Sequence, residues 1–308
     1  MSRYRDVASF FLLTLLWGGS FVAIEVGLEF YPSVLFAAYR FDVAAVILVA
    51  YAIGYKGGSL PRTRDDLLAI AYSGGLAVGV NNAALFIGQQ HTTSGIAAVT
   101  YSLVPIATAA IATLVVSDAT IDGRDLTGIA LAFLGVAIVA QPDPANLSSG
   151  VSLGVSIILV GVLSIAIGSV GLQKHQPTFS SMTLTAWAML FGTVVLHVFS
   201  LLRGETQMAP SVDPVAIGVL VFLGVFSSAM AYIIYFTLLS RLGAFQINLN
   251  SYVVPVVATV TGWALLGETI TAWTVIGFVG IVFGFVLVKR HAIRQELPGI
   301  RAAISGRS

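Results

Sequence analysis

The sequence predicts an all-α integral membrane protein whose ten transmembrane helices form two inverted five-helix repeats, and three observations carry that prediction. Apolar residues make up 57% of the chain and charged residues 9%, against roughly 25% charged in soluble domains. That leaves too little polar surface to face water on all sides. Apolar windows of about 20 residues, the length that crosses roughly 30 Å of hydrocarbon, recur ten times. The passage from 95 to 140 is echoed from 243 to 288.

The windows run over 7–30, 32–54, 66–90, 92–116 and 124–140, then over 151–172, 178–202, 214–240, 244–266 and 272–289. Each is apolar throughout, whereas barrel strands are shorter and alternate, so helices are expected. The first follows Arg3 and Arg5 but continues to Phe30 without a small-residue cleavage pattern. It reads as a retained span and not as a removed signal peptide. Short polar separators divide the windows: Tyr31-Pro32, the loop Lys56 to Asp65, His91-Thr92, Ser117 to Gly123, and Gln141 to Gly150 with its Pro142 and Pro144. Asp122 and Asp125 are placed to cap span 5, and Thr271 to cap span 10. The pairs Gly75/Gly79, Gly150/Gly154 and Gly280/Gly284 have the spacing of close helix contacts.

Charge placement tests the count. Ten spans from a cytoplasmic N-terminus put Arg3, Arg5, Lys56, Arg62, Arg64, Arg124, Lys174, Arg241, Lys289, Arg290, Arg294, Arg301 and Arg307 on the cytoplasmic side, and only Arg203 outside. That 13 to 1 bias follows the positive-inside tendency, and one missed span would scramble it. Both termini are therefore expected to be cytoplasmic, and the expected location is the inner membrane of a bacterial or archaeal cell. The loop after Ala140 divides the spans into five and five. Five is odd, so the second half enters the membrane in the opposite sense. The expected units are a first repeat over 1–145, an inverted second repeat over 146–290 and a basic cytoplasmic tail over 291–308.

Within the echo, Tyr101-Ser102-Leu103-Val104-Pro105 matches Ser251-Tyr252-Val253-Val254-Pro255, Asp118 matches Glu268, and Gly128 and Gly135 match Gly277 and Gly284. A proline lacks its N–H, so the carbonyl four residues earlier, on Tyr101 or Ser251, is freed. Such a carbonyl is tolerated at membrane depth where it faces protein or a wet cavity. Pro105 and Pro255 are thus candidate hinges, with plain helix kinks as the competing reading. Inverted repeats leave a crevice near the midplane that either copy can open by rocking, and the polar groups at depth fall where that crevice should be. They are Trp17 and Ser20 in span 1, Asn81 and Asn82 in span 3, Ser227, Ser228 and Tyr232 in span 8, and Asn248 and Asn250 in span 9. Interhelical hydrogen bonding is the alternative use of each. Glu25, Arg40 and Asp42 are the ionisable groups that lie clearly inside spans, away from their ends. Glu25 and Arg40 flank the Tyr31-Pro32 turn and are expected to pair across it, with a gate or proton site as the sharper reading. Asp42 lies on another face and is the acid to test for proton coupling.

Trp17-Gly18-Gly19-Ser20-Phe21, Arg40, the stretch from Thr93-Ser94-Gly95 to Pro105, its echo from Gly243 to Pro255, and Leu266-Gly267-Glu268 resemble the EamA-type members of the drug/metabolite transporter superfamily. The resemblance implies ten-span inner-membrane carriers, many exporting amino acids or related metabolites, some similar to the aromatic amino acid exporters called YddG. It also implies a central cavity lined by spans 1, 3, 4, 6, 8 and 9, with Trp17, Asn82, Tyr101, Tyr232 and Tyr252 near substrate. Span 6 departs from the pattern, carrying Leu163-Ser164-Ile165-Ala166-Ile167-Gly168-Ser169 in place of a Trp-Gly motif.

The substrate-binding candidates are therefore Trp17, Ser20, Asn81, Asn82, Tyr101, Ser228, Tyr232, Asn248, Ser251 and Tyr252. No central Lys or Arg is available near spans 3, 4, 8 or 9 to hold a phosphate. Neutral hydrogen-bonding groups and rings suit a net-neutral, partly apolar solute. Export of hydrophobic or aromatic amino acids by alternating access is the expected function, with broader and proton-coupled efflux of amphipathic compounds as the alternative. An intramembrane enzyme is the least favoured class, because Ser94 and His91 lack a matching base and oxyanion arrangement. The chain has no cysteine, which excludes disulfides and thiolate metal sites. No cofactor, metal or nucleic acid is expected. The partners are a small-molecule substrate and membrane lipid, and the chain acts as a monomer or homodimer.

Overall fold

A computed structural model describes residues 2–56, 60–115, 122–140, 150–243, 246–247, 249–290 and 293. Asn248, Asp118 and most of the basic tail lie outside the described residues. The described residues are all-helical, in ten rods: α1 Ser2–Gly27, α2 Ser33–Lys56, α3 Arg64–Gln89, α4 Ser94–Val115, α5 Gly123–Ala140, α6 Gly150–Leu172, α7 Ser181–Leu202, α8 Pro214–Leu242, α9 Asn250–Leu266 and α10 Ala272–Val288. Eight have the length and apolar character to cross a membrane, and α9 and α10 are 17 residues each.

Polar side chains start these helices by accepting from backbone N–H groups that have no intrahelical partner. Thr63 and Asp66 form a reciprocal capping box on α3. Thr93, Ser180, Asp213 and Thr271 cap α4, α7, α8 and α10. Asp122 accepts from the N–H groups of Arg124 and Asp125 at the start of α5.

Pairings at the helix ends sort the chain onto two faces. On the face of the N-terminus, Arg241 meets Asp6 at 2.8 Å, His175 meets Asp65 at 3.0 Å, Thr178 donates to Asp66, and Arg290 bonds both Asp122 and Asp125. On the distal face, the carboxylate of Glu205 receives the N–H groups of Val34 and Leu35 at 3.1 and 2.9 Å. Glu268 there receives those of Ser94 and Gly95 at 2.9 and 3.2 Å. Carboxylates therefore seat on the N-termini of α2 and α4, where unsatisfied N–H groups and the helix dipole favour negative charge. The backbone N–H groups of Asp125 and Arg124, together with Arg290, hold the Asp122 carboxyl below its usual range.

Glycines bring the rods together. α5 and α10 meet where Gly128 faces Gly284 and Gly135 faces Gly277, and a Cβ on Gly135 would lie 2.5 Å from the Gly277 carbonyl oxygen. Along α3 and α6 the same closeness occurs at Gly88 against Gly154, where a Cβ on Gly88 would sit 2.8 Å from the Gly154 carbonyl oxygen. Of the expected glycine pairs, Gly79 meets Val195 of α7 and Gly284 meets Gly128, whereas Gly150 has φ +60 and open space around it.

The third helix of each half is wound more widely over part of its length. Residues Ala71–Val80 of α3 and Phe222–Met230 of α8 are π-helical. The two stretches begin 151 residues apart, in step with the 149- and 150-residue offsets in sequence. Segments of this kind are rare and often lie at functional sites.

Candidate substrate cavity

The π stretches end next to the groups that matter. Asn81 and Asn82 follow the first, and Ala231 and Tyr232 follow the second. Asn82 donates back to the Val78 carbonyl at 2.8 Å, and Ser164 of α6 donates to the Leu76 carbonyl at 2.8 Å. The departure from the Trp-Gly pattern in α6 thus places a hydroxyl that supports the widened turn of α3. Asn81 accepts the hydroxyl proton of Tyr101.

Between these helices lies a central cavity of about 210 Å³. Its walls include Trp17, Ser20 and Phe21 from α1, Arg40 and Phe41 from α2, and Asn81 and Asn82 from α3. Tyr101 and Ser102 from α4, Ile165 from α6, Tyr232 from α8 and Ser251 from α9 complete them. Trp17 and Tyr232 meet edge to face with centroids 6.0 Å apart, and Phe21 packs on Tyr101 at 5.8 Å. Trp17, Ser20, Asn81, Asn82, Tyr101, Tyr232 and Ser251 therefore converge on one space. Ser228 does not line it but holds Arg40, accepting from Nε at 2.9 Å. Tyr252 is turned away, its ring 4.3 Å from that of Phe285 on α10. Asn250 is buried outside the lining.

The two prolines differ. α4 is interrupted at Ser102 and Leu103, immediately before Pro105, and Leu103 N donates to the Thr100 carbonyl. Pro255 instead lies inside an unbroken α9.

The expected ionic contact between Glu25 and Arg40 is not made. Glu25 accepts from Gln89 of α3 at 3.1 Å, and that same amide also donates to the Phe21 carbonyl. Arg40 points to α8 and the cavity. Asp42 faces α7, where it accepts from Thr193 at 2.7 Å and meets His197 Nε2 at 3.0 Å, with its side chain 41% exposed. Nothing in the sequence marks His197 as the partner of Asp42, because three-dimensional contact between α2 and α7 leaves no local signal. Phe41 and Ser102 were also missed, although each neighbours a residue that was chosen.

The distal ends of α4 and α9 are tied together. Glu268 ties the α9–α10 turn to the start of α4, and Gly262 leaves space there, since a Cβ would lie 2.6 Å from both Ser94 Oγ and Glu268 Oε2. A Cβ on Gly95 would meet Thr259 Oγ1 at 3.0 Å. Ser94 is thus a packed residue beneath a carboxylate.

Ten apolar helices in two repeats around a central polar cavity define a membrane transporter. The chain belongs to the EamA-like transporter family, whose sequence profile matches it twice, over residues 7–141 and 152–290. It is 33% identical over 296 residues to the "Uncharacterized inner membrane transporter YedA" of Escherichia coli K12, covering 93% of this chain and 92% of that one. An "Uncharacterized transporter" of Archaeoglobus fulgidus is 28% identical, with 91% and 96% covered. The "Probable amino-acid metabolite efflux pump" of Salmonella typhimurium LT2 is 29% identical, with 93% and 95% covered. A solved crystal structure at 14% identity shares the fold with a TM-score of 0.62, covering 95% of this chain and 99% of its own. Family and relatives make the chain a multi-pass membrane transporter and not an enzyme.

Proposed function

We propose that this transporter exports small, partly apolar metabolites, hydrophobic and aromatic amino acids foremost, by exposing one central cavity alternately to the two sides of the inner membrane. The observation that carries this reading is the cavity itself. It sits where α1, α2, α3 and α4 of one half meet α8 and α9 of the other, and its walls combine aromatic rings and neutral hydrogen-bonding groups with one guanidinium, that of Arg40. Its volume of about 210 Å³ falls below the range of drug-sized pockets, roughly 300–1,000 Å³. That favours a metabolite over a bulky amphipathic drug. The name of the Salmonella relative points the same way.

In this reading the N-terminal face is cytoplasmic, in keeping with the 13 to 1 bias of Lys and Arg. The present conformation, latched at the distal face, is the cytoplasm-facing half of the cycle. Residues 1–145 and 146–290 rock against each other, with Pro105 and its broken helix turn as one flexing point.

The test is counterflow in proteoliposomes preloaded with unlabelled amino acids. Transient accumulation of labelled phenylalanine or leucine is expected. Failure of every aromatic and aliphatic amino acid, with movement of another solute class, overturns the substrate assignment.

A further inference from the structure

We infer that Arg40 is the anchor for a substrate carboxylate, so that a free carboxylate is the feature this carrier requires of its solute and an amino group is not. The inference rests on the proposed transport role of the central cavity and sharpens its substrate class.

Arg40 sits within α2, 7% exposed, on the wall of the cavity. A cation at that depth is costly unless it is paired or faces a polar space. Every acid that might pair with it is engaged elsewhere. Glu25 is held by Gln89, and Asp42 by Thr193 and His197. The ion pairs among the described residues involve Asp6, Asp42, Asp65, Asp122, Asp125 and Glu205, and none includes Arg40.

One edge of the guanidinium is fixed. Nε donates to Ser228 of α8 at 2.9 Å. Gly224 lets α8 close on α2 at this point, since a Cβ there would lie 2.6 Å from Val43 and 3.2 Å from the Arg40 carbonyl oxygen. The other edge is open. Among the described residues neither terminal nitrogen has an acceptor, and neither is sealed from the cavity. On the same wall stand the phenols of Tyr232 and Tyr101, which are hydrogen-bond donors and acceptors without charge at neutral pH. A guanidinium held by Nε presents two parallel N–H groups, and a carboxylate matches that fork with two oxygens and one compensating charge. A phosphate dianion would leave a charge unmatched, because Arg40 is the only basic residue in the lining.

The lining also holds no Asp or Glu. The ammonium group of an amino acid would meet only hydroxyl, amide and ring partners such as Ser20, Asn81 and Trp17. Deaminated acids should therefore bind as well as the amino acids, and amides should not.

The test is a fluorescence titration of the purified protein, using the tryptophan signal to which Trp17 of the cavity wall contributes. The ligands are two matched sets, phenylalanine, 3-phenylpropionate and phenylalaninamide, and leucine, 4-methylpentanoate and leucinamide, together with inorganic phosphate alone. Both acids of each organic set are expected to bind at least tenfold more tightly than the amide. Arg40→Gln is expected to erase that ratio and Arg40→Lys to restore part of it, which a merely structural role would not do. Should Arg40→Gln fail to fold, Ser228→Ala keeps the cation but frees Nε, and the ratio should fall several-fold. Equal binding of acids and amides by the native protein overturns the inference, as does a ratio that survives in Arg40→Gln, a preference for phosphate, or no response to any acid. Binding of the deaminated acids without the amino acids leaves the anchor standing and defeats amino-acid export. Binding of amino acids and amides alike does the reverse.

Discussion

The hydroxyl of Tyr101 and the amide of Asn81 set the shape of one cavity wall by a single hydrogen bond between α4 and α3. Tyr101→Phe removes the donor and leaves the Asn81 oxygen without it in a buried setting, a loss of about 1–3 kcal/mol. Thermal unfolding should show that loss, and the half-saturation concentration for transport should rise several-fold. At this scale the sequence was a good guide to polar groups: Trp17, Ser20, Asn81, Asn82, Tyr101, Tyr232 and Ser251 are polar or aromatic at membrane depth, and a hydrocarbon-facing position would be costly. Their partners were not legible. Glu25 and Arg40 lie on either side of the Tyr31-Pro32 turn in the chain, yet each bonds to a helix distant in sequence, Gln89 of α3 and Ser228 of α8. Chain proximity carried no information about which face each side chain takes once α3 and α8 pack in. Tyr252, chosen as the echo of Tyr101 and its neighbour, turns to Phe285 because Tyr and Ser exchange order at the second proline.

Glycine spacing explains how the helices approach. Gly135 and Gly277 face each other so closely that a side chain on either meets the partner's backbone. Gly135→Val should force α5 and α10 apart, at a cost of about 1–3 kcal/mol or more, seen as a lower melting temperature in detergent with transport per folded molecule retained. The same two helices are clamped at the N-terminal face by Arg290 on Asp122 and Asp125. Because the Asp122 carboxyl is held below its usual value, the clamp is fully in place above the ordinary carboxylate pKa of about 4 and is lost as pH falls through the lower folded value. Arg290→Ala should therefore lower the melting temperature at pH 7, and the difference from the native chain should shrink in acid. Helix number and order were legible, since apolar length is a direct consequence of membrane thickness. The π-helical stretches were not, because their composition of Gly, Ala and Ser differs little from that of the α-helical residues around them.

On the scale of the whole molecule, the two repeats enclose one cavity with unlike walls. The first supplies Asn81, Asn82 and Tyr101, the second Tyr232 and Ser251, and the charge comes from α2 of the first. The antiparallel relation of the halves could be argued from an odd span number and the bias of basic residues. The tie of Glu268 to the start of α4 could not, because it joins elements distant in sequence. Glu268→Ala should loosen this tie, so that a cysteine placed at Ala98 reacts at least several-fold faster with a thiol reagent supplied from the distal side. The native chain has no cysteine, so single-cysteine variants carry no background.

The most direct test of alternating access uses that property. Single cysteines at Val104 and at Ile96, on the near and distal sides of Tyr101, are treated with a membrane-impermeant thiol reagent from each face, with and without substrate. Alternating access requires Val104→Cys to react from the cytoplasmic side and Ile96→Cys to be protected at rest, and substrate to shift the two rates in opposite directions. Simultaneous reactivity of both sites from their own sides, or rates that substrate leaves unchanged, would contradict it.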